Sequence, residues 1–272
     1  MKIYIEGNIA CGKSTFTKKL SKYFLSDNAT FVQEPVDEWI SITDNNGINI
    51  LNKFYKDSKK WAFPFQMTTF ITRIKKISAI PPDKLAFIER SVFTDKHCFA
   101  KNLYESDVLD DIEWQLYCNW FDWLTKTFPV EPCAYIYLRT DPNTSFERLK
   151  KRSRNEEVSV TLNYLTQLHN RHDEWLLPIE KDTSNNILIV DATKDFENNE
   201  DRFREIVSQI NRFIFSLEPD FGIVPQTRYL KLQEELNRNT CLYSEDEFVP
   251  LQIFNTAEEK KPGQGQIALD KY

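Results

Sequence analysis

A chain of 272 residues, 41% hydrophobic and 28% charged, is long enough to bury one large core, and no apolar run approaches the ~20 residues that cross a bilayer. No membrane partner is expected. The formal net charge of −6 argues against a sequence-independent grip on nucleic acid, which depends on Lys and Arg neutralising phosphates; small phosphorylated ligands need only a local cluster of positive charge.

Five isolated cysteines, Cys11, Cys98, Cys118, Cys133 and Cys241, form no C-x-x-C pair and suggest neither a disulfide framework nor a zinc site. Strand-like residues Lys2 to Ile5 follow Met1 directly and leave no room for a signal or transit leader, so a cytoplasmic protein is expected.

Along the chain, short β-rich runs alternate with longer helical patterns. KIYIE precedes TFTKKLSKYF, TFVQE a long mixed helical stretch, KLAFIER two helices, AYIYLRT the run SFERLKKR, and ILIVD the run RFREIVSQINRFIF. This alternation predicts an α/β fold, a parallel sheet wrapped by helices. The strand candidates are near-continuously apolar, as expected when both faces are covered. In the last helix Phe203, Ile206, Val207, Ile210, Phe213 and Ile214 fall on one stripe that reads as core. Asp44-Asn45-Asn46-Gly47 reads as a loop, and Asp182 to Asn186 as a turn before the final strand. Composition shifts after Leu217, which divides the chain into a domain over residues 1–217 and a C-terminal extension over 218–272. The extension reads as a helix-like segment from Tyr229 to Arg238 followed by a partly disordered tail.

Gly7, four residues and then Gly12-Lys13-Ser14 fit G-x-x-x-x-G-K-[ST], placed between a strand and a helix as its mechanism requires. Glycines let the backbone N–H groups turn inward as an anion nest, Lys13 reaches the β and γ phosphates, and the Ser14 hydroxyl sits at Mg²⁺. Gly7, Asn8, Ile9, Ala10, Cys11, Gly12, Lys13, Ser14 and Thr15 therefore read as the holder of a nucleoside triphosphate, ATP.

The acceptor must be named by other residues. Glu34, after the second strand, stands at a carboxyl end where open α/β sheets build their sites. A hydroxyl loses its proton as it attacks, whereas an acceptor phosphate mainly needs cations, so Glu34 favours an alcohol; a solvated strand-end carboxylate is the bland alternative. Glu89 and Arg90 end the third strand, suited to Mg²⁺ and to charge on a transferring phosphoryl group, unless they are a surface ion pair. RLKKRSRNEE, from Arg148 to Glu157, reads as a solvated charge run or as a lid that brings Arg152 and Arg154 over the phosphates. KFYKDSKKWAFPFQMTTFITRIKK carries aromatics with Gln66, whose amide suits the edge of a planar base, and Arg73 one helical face along.

Together these residues resemble the deoxynucleoside kinase family, which includes deoxycytidine, deoxyguanosine and mitochondrial-type thymidine kinases. The resemblance rests on GNIACGKST, EPVDEW, FYKDSKKWAFPFQ, ERSVFTDKHCFA, the lid RSRNEE and VDATKDF, in family order over roughly Met1 to Leu217. It implies the P-loop kinase fold, a five-stranded parallel sheet with helices on both faces, and a homodimer. It implies ATP as donor, Mg²⁺, and a deoxynucleoside as acceptor in nucleotide salvage.

Under that resemblance Glu34 matches the general base for the 5′-hydroxyl and Arg90 its partner, with Lys13 and the lid arginines Arg152 and Arg154 on the phosphates. Ser14 and Glu89 match the Mg²⁺ side. Gln66 matches the amide that reads the base edge, and Tyr55 with Glu157 the pair that holds the 3′-hydroxyl. Trp39 and Phe99 match aromatics that enclose the base, and Phe65, beside Gln66, belongs to the same wall. Asp195 and Phe196 match the loop around the donor adenine. Arg73 and Asp95 match the charged pair that crowds the 5-position of a pyrimidine and disfavours thymine, which implies deoxycytidine and purine deoxynucleosides over thymidine. Thr69 leaves the order of dC, dA and dG open. Cys11 is unusual in such a loop but contributes only backbone, and the extension lies beyond the family pattern.

Three other readings stay open here: a nucleoside monophosphate kinase on the same fold, a nucleotide-binding regulatory module, and a scaffold whose tail carries its role. His169 and His172 read as surface or partly packed side chains, and His97 as packing beside the site. Trp114, Trp120 and Trp123 with Phe121 read as core or dimer interface.

Overall fold

Five parallel strands, β1 (Lys2–Glu6), β2 (Ala29–Val32), β3 (Leu85–Glu89), β4 (Ala134–Arg139) and β5 (Ile187–Asp191), pair in the order β2-β3-β1-β4-β5. They are seen in a computed structural model that describes residues 1–24, 29–180 and 186–217. The helices are α1 (Lys13–Leu20), α2 (Val36–Ser41), α3 (Ile50–Lys56), α4 (Ser58–Ser78), α5 (Val92–Thr94), α6 (Lys101–Glu105), α7 (Asp111–Thr127), α8 (Pro142–Arg152), α9 (Leu162–Glu180) and α10 (Glu200–Leu217). A π-helical turn over Asp95–Ala100 joins α5 to α6.

The period-2 alternation of each strand divides two cores across the sheet. Ile3, Ile5, Phe87, Ile136 and Leu138 face α1 and α10, where they meet Phe16, Leu20 and the predicted stripe from Phe203 to Ile214. Tyr4, Ala86, Ile88, Tyr135 and Tyr137 point the other way, against Phe70 and Ile74 of α4, Tyr117 and Phe121 of α7 and Leu176 of α9. Removing one of the fully buried rings, such as Phe87, costs about 3–5 kcal/mol because the close-packed surroundings collapse only partly.

Local chemistry sets the helix ends. Asp110 accepts from the N–H groups of Ile112 and Glu113 at the start of α7, and Glu113 returns a carboxylate to the Asp110 N–H. Asp141 caps α8 with Pro142 in its first turn, and Ser153, left-handed at φ 52°, ends it. The next segment, the expected lid, therefore begins at a sharp reversal of the chain.

Trp114 stacks on Tyr104 with ring centres 5.1 Å apart and packs into the core, while Trp120 and Trp123 are exposed. His97 stacks on Trp175. Cys11 and Cys98 are buried, Cys118 is half-buried, Cys133 is exposed, and all four are free thiols. Most of the turn read from Asp182 to Asn186, Cys241, and the extension over 218–272 lie outside the described residues.

One expectation needs correction. His172, read as surface or partly packed, has no exposed surface: its Nδ1 lies 2.6 Å from Leu168 O and its ring stacks on Tyr137. Two histidines three apart looked like one helical face, but α9 is sandwiched between sheet and neighbours, so His172 turns into the core. Burial and the charge of Arg90 hold its imidazole down to about 3. Between that value and the ordinary 6.5 the unfolded chain takes up a proton that the native chain refuses, so stability falls as pH drops below 6.5. In urea unfolding at about pH 7 and about pH 5, the protein is expected to lose about 2 kcal/mol more than His172→Phe does.

Candidate active site

After β1 the chain moves to the β2 and β3 side, then crosses to β4 and β5, so a crevice opens at the carboxyl end of β1. A cleft of about 600 Å³ occupies it, with Lys13, Ser14, Glu34, Gln66, Arg73, Glu89, Arg90, Asp95 and the segment around Arg152 on its walls.

The phosphate loop folds on glycine. Gly12 sits at φ +101°, and a Cβ there would stand 2.9 Å from the Phe196 ring. A side chain is thus barred by conformation and by space. Lys13 is buried, its Nζ donating to Asn8 O at 2.8 Å and Gly7 O at 3.2 Å, and burial with the Arg90 charge lowers its pKa. Ser14 Oγ donates to Glu89 Oε1 at 2.9 Å, bringing two hard oxygen donors together beside the loop.

Opposite the loop, Glu34 is clamped. Arg73 Nη2 donates to Glu34 Oε1 at 2.9 Å, and Arg90 Nε lies 3.3 Å from the same oxygen. Burial alone would raise this carboxyl, but the charges of Arg90, Arg73 and Lys13 outweigh it and hold it at about 2. Arg73 also forks onto Asp95, Nε to Oδ2 at 2.9 Å and Nη2 to Oδ1 at 3.1 Å, and it lies over the Trp39 ring at 5.7 Å. Arg90 adopts a left-handed backbone, φ 61°, with its guanidinium 4.8 Å from the Phe99 ring centre. Asp95 and Phe99, four residues apart on the π-helical turn, both face the cleft.

An aromatic wall completes the pocket. Phe65 stacks on Phe54 at 4.7 Å and meets Trp39 edge-on at 5.6 Å. Trp39 Nε1 is satisfied by Thr72 Oγ1, whereas the buried Oε1 of Gln66 has no partner. Tyr55 lines the cleft, and burial raises its hydroxyl well above the ordinary value. Glu157 bonds Arg152 and lies 3.6 Å from Arg154, so both expected lid arginines rest on one carboxylate.

The structure therefore brings Ile9, Ala10, Gly12, Lys13, Ser14, Thr15, Glu34, Trp39, Tyr55, Phe65, Gln66, Arg73, Glu89, Arg90, Asp95, Phe99, Arg152, Arg154 and Glu157 to one cleft. Gly7, Asn8 and Cys11 stand behind its lining and shape the loop. Asp195 caps its own turn through Glu197 N and Asn198 N, and Phe196 lies in the core beneath Gly12, so neither borders the cleft.

Arg148, read only as the first residue of the charge run, and Glu197, to which no role was given, also reach the cleft. Arg148 Nη1 donates to Ala192 O at 2.8 Å and to Cys11 O at 3.3 Å, tying α8 to the phosphate loop and to the chain after β5. Its spacing four residues before Arg152 was the available signal, because the two share a face of α8.

The chain matches the deoxynucleoside kinase family model over residues 3–215. It belongs to the deoxynucleoside kinase family. Among its relatives are human deoxycytidine kinase, 35% identical over 243 aligned residues that cover 79% of this chain and 92% of that protein. A probable deoxycytidine kinase of fowlpox virus is 39% identical over 220 residues, covering 79% and 89%. The mitochondrial deoxyguanosine kinase of Xenopus laevis is 33% identical over 241 residues, covering 79% and 90%. As a deoxynucleoside kinase the chain is a phosphotransferase that takes a nucleotide donor and a small-molecule nucleoside. Among the described residues no helix of this kinase is long and apolar enough to cross a membrane, and no group of three or more His, Cys, Asp or Glu could hold a metal ion.

Burial pushes the Asp95 carboxyl up to about 6 against the pull of Arg73. Above that pH the anion holds Arg73; below it protonation removes the partner. Glu34, at about 2, does not titrate in this window. The expected kcat/KM for the nucleoside falls by up to about tenfold per pH unit below about pH 6, and Asp95→Asn flattens that limb.

Proposed function

We propose that this kinase transfers the γ-phosphoryl group of ATP to the 5′-hydroxyl of deoxynucleosides, with deoxycytidine and the purine deoxynucleosides favoured over thymidine. The observation that carries the reading is a carboxylate, Glu34, held between Arg73 and Arg90 directly across from the Lys13 and Ser14 loop. An acceptor phosphate would be repelled by that carboxylate, whereas a hydroxyl can donate to it.

Glu34 is anionic throughout the physiological range and orients the hydroxyl for in-line attack. Its low basicity is tolerable because the transition state is loose and the attacking hydroxyl becomes strongly acidic only as its new bond to phosphorus forms. Arg90 then stands beside the attacking oxygen, and Arg152 and Arg154 supply positive charge from the lid side. Mg²⁺, when bound with the triphosphate, would neutralise charge on its phosphates. Ser14 and Glu89 fit it as paired hard-oxygen donors, and so sparse a protein ligand set is the usual one for a Mg²⁺ that keeps its waters and phosphate ligands.

On the acceptor side, the partnerless Oε1 of Gln66 is completed by a donor on the base edge, the exocyclic amine of cytosine or adenine or equally the N3–H of thymine, so this amide fixes the base without excluding thymine. As the resemblance implies, the buried Arg73 and Asp95 pair crowds the 5-position of a pyrimidine and disfavours a 5-methyl group there. Phosphate transfer from Mg·ATP to dC, dA, dG and T is the direct test, with dCMP as a further acceptor. The expected result is transfer to dC or the purines above T, lowered about 10²–10⁴-fold in kcat by Glu34→Gln. A clear thymidine preference overturns the specificity; transfer to dCMP alone overturns the hydroxyl acceptor.

A homodimer belongs to the same reading. Ile112, Leu116, Trp120 and Trp123 are 69%, 44%, 47% and 57% exposed and follow one another along one face of α7. Such a stripe on a helix is self-complementary, so a second copy laid across a two-fold axis buries aromatic against aromatic. Trp120→Asp with Trp123→Asp is expected to halve the mass measured by light scattering.

A further inference from the structure

Glu6 is the last residue of β1, immediately before the phosphate loop, and it is fully buried. It does not border the cleft, and the transfer chemistry above makes no use of it. Among the described residues it forms no ion pair. The Arg90 charge acts on it without contact, so its close partners are hydrogen-bond donors, and the two donors seen among the described residues come from a single turn. Ser91 N donates to Oε1 at 2.9 Å, and the Thr94 hydroxyl donates to Oε2. Ser91 Oγ in turn accepts from Thr94 N at 3.2 Å, which closes the turn on itself.

The residue just before Ser91 is Arg90, whose N–H donates to Ile5 O at 3.0 Å. Consecutive residues of β1, Ile5 through its carbonyl and Glu6 through its carboxylate, thus grip consecutive residues of the turn after β3. Between those two bonds Arg90 is left-handed at φ 61°, a conformation that is strained for a non-glycine residue. It persists only where the surroundings over-determine it. Loss of the Glu6 contact leaves the turn held on one side, free to relax φ at Arg90 and swing the guanidinium away from Glu34.

We propose that Glu6 is a positioning residue for phosphoryl transfer: it fixes the turn after β3 so that Arg90 is presented to Glu34 and to the phosphate loop. This rests on the role given to Arg90 above. The same strand end that launches the phosphate loop also sets the arginine that serves the acceptor, so donor and acceptor groups share one rigid reference.

The test measures kcat and both KM values for Glu6→Leu, Glu6→Gln and Thr94→Val in the full-length protein, each with Arg90 present and with Arg90→Met. Leucine keeps the volume and strands both donors. Glutamine keeps an oxygen for Ser91 N–H and places an amide beside a hydroxyl that can rotate to accept. The expected result is a kcat loss of about 10–100-fold for Glu6→Leu and about 3–10-fold for Thr94→Val, with both KM values within about threefold. Glu6→Gln stays within about threefold of the unaltered protein, and all losses shrink below about threefold once Arg90 is Met. Equal fold losses in the two backgrounds, or an unchanged kcat in Glu6→Leu, overturn the inference alone. Thr94→Val carries the same comparison if Glu6→Leu does not fold. An unchanged kcat for Arg90→Met by itself removes the reading of Arg90 and the inference with it.

Discussion

Everything at the head of this sheet is organised by one guanidinium that two carboxylates share. Arg73 is 3% exposed and meets Glu34 and Asp95 at once, while Arg90 presses on Glu34 from the other side. Charges taken this far from water are tolerated only in company, and stripping one partner from such a set costs about 3–5 kcal/mol. The four residues come from the end of β2, the middle of α4, the turn after β3 and the π-helical turn. A single electrostatic constraint therefore locks four separated stretches of chain into one geometry. The same set lowers the basicity of Glu34, with the Arg90 charge acting most strongly and Arg73 next.

The phosphate-loop side is held differently, by a steric stop and by hydrogen bonds from one guanidinium to backbone carbonyls. Gly12 is pinned against the Phe196 ring, and Arg148 straps the Cys11 and Ala192 carbonyls together. The phosphate loop, α8 and the chain after β5 therefore form one unit. The lid end is moored to the acceptor side instead: Asn49 Nδ2 donates to Glu156 Oε1, and Ser159 Oγ to Tyr55 O. Glu157, holding both lid arginines beside Tyr55, stands where the two halves meet. Arg152, Arg154 and Tyr55 thus meet at one carboxylate on the wall of the cleft.

Much of this was legible in the sequence because it is local. The strand runs KIYIE and ILIVD coincide with β1 and β5, and the α10 stripe lies on the core face, since alternation and helical period are properties of adjacent residues. The phosphate loop is local too: its glycines, lysine and serine act within nine residues of one another. Helical spacing put Arg73 on the same face as Gln66, and the resemblance added Asp95 to that pocket, which spacing alone left unconnected. The individual place of Arg148, and Glu197 altogether, were missed because each matters through partners 44 residues or more away or through a cleft that no local pattern announces.

By itself the sequence determined the class of fold, the strand and helix succession, and the presence of a triphosphate loop with acidic strand ends behind it. These follow from hydrophobic period and turn chemistry, which act over a few residues. Only the tertiary structure decided that Arg73 is shared, that Glu34 is squeezed between two guanidiniums, that Glu6 grips the turn carrying Arg90, and that His172 is buried rather than exposed. Each of those depends on which elements the parallel sheet places side by side. Burial and charge proximity, unlike periodicity, are set by residues far apart in the chain and have no signature in any short stretch of it.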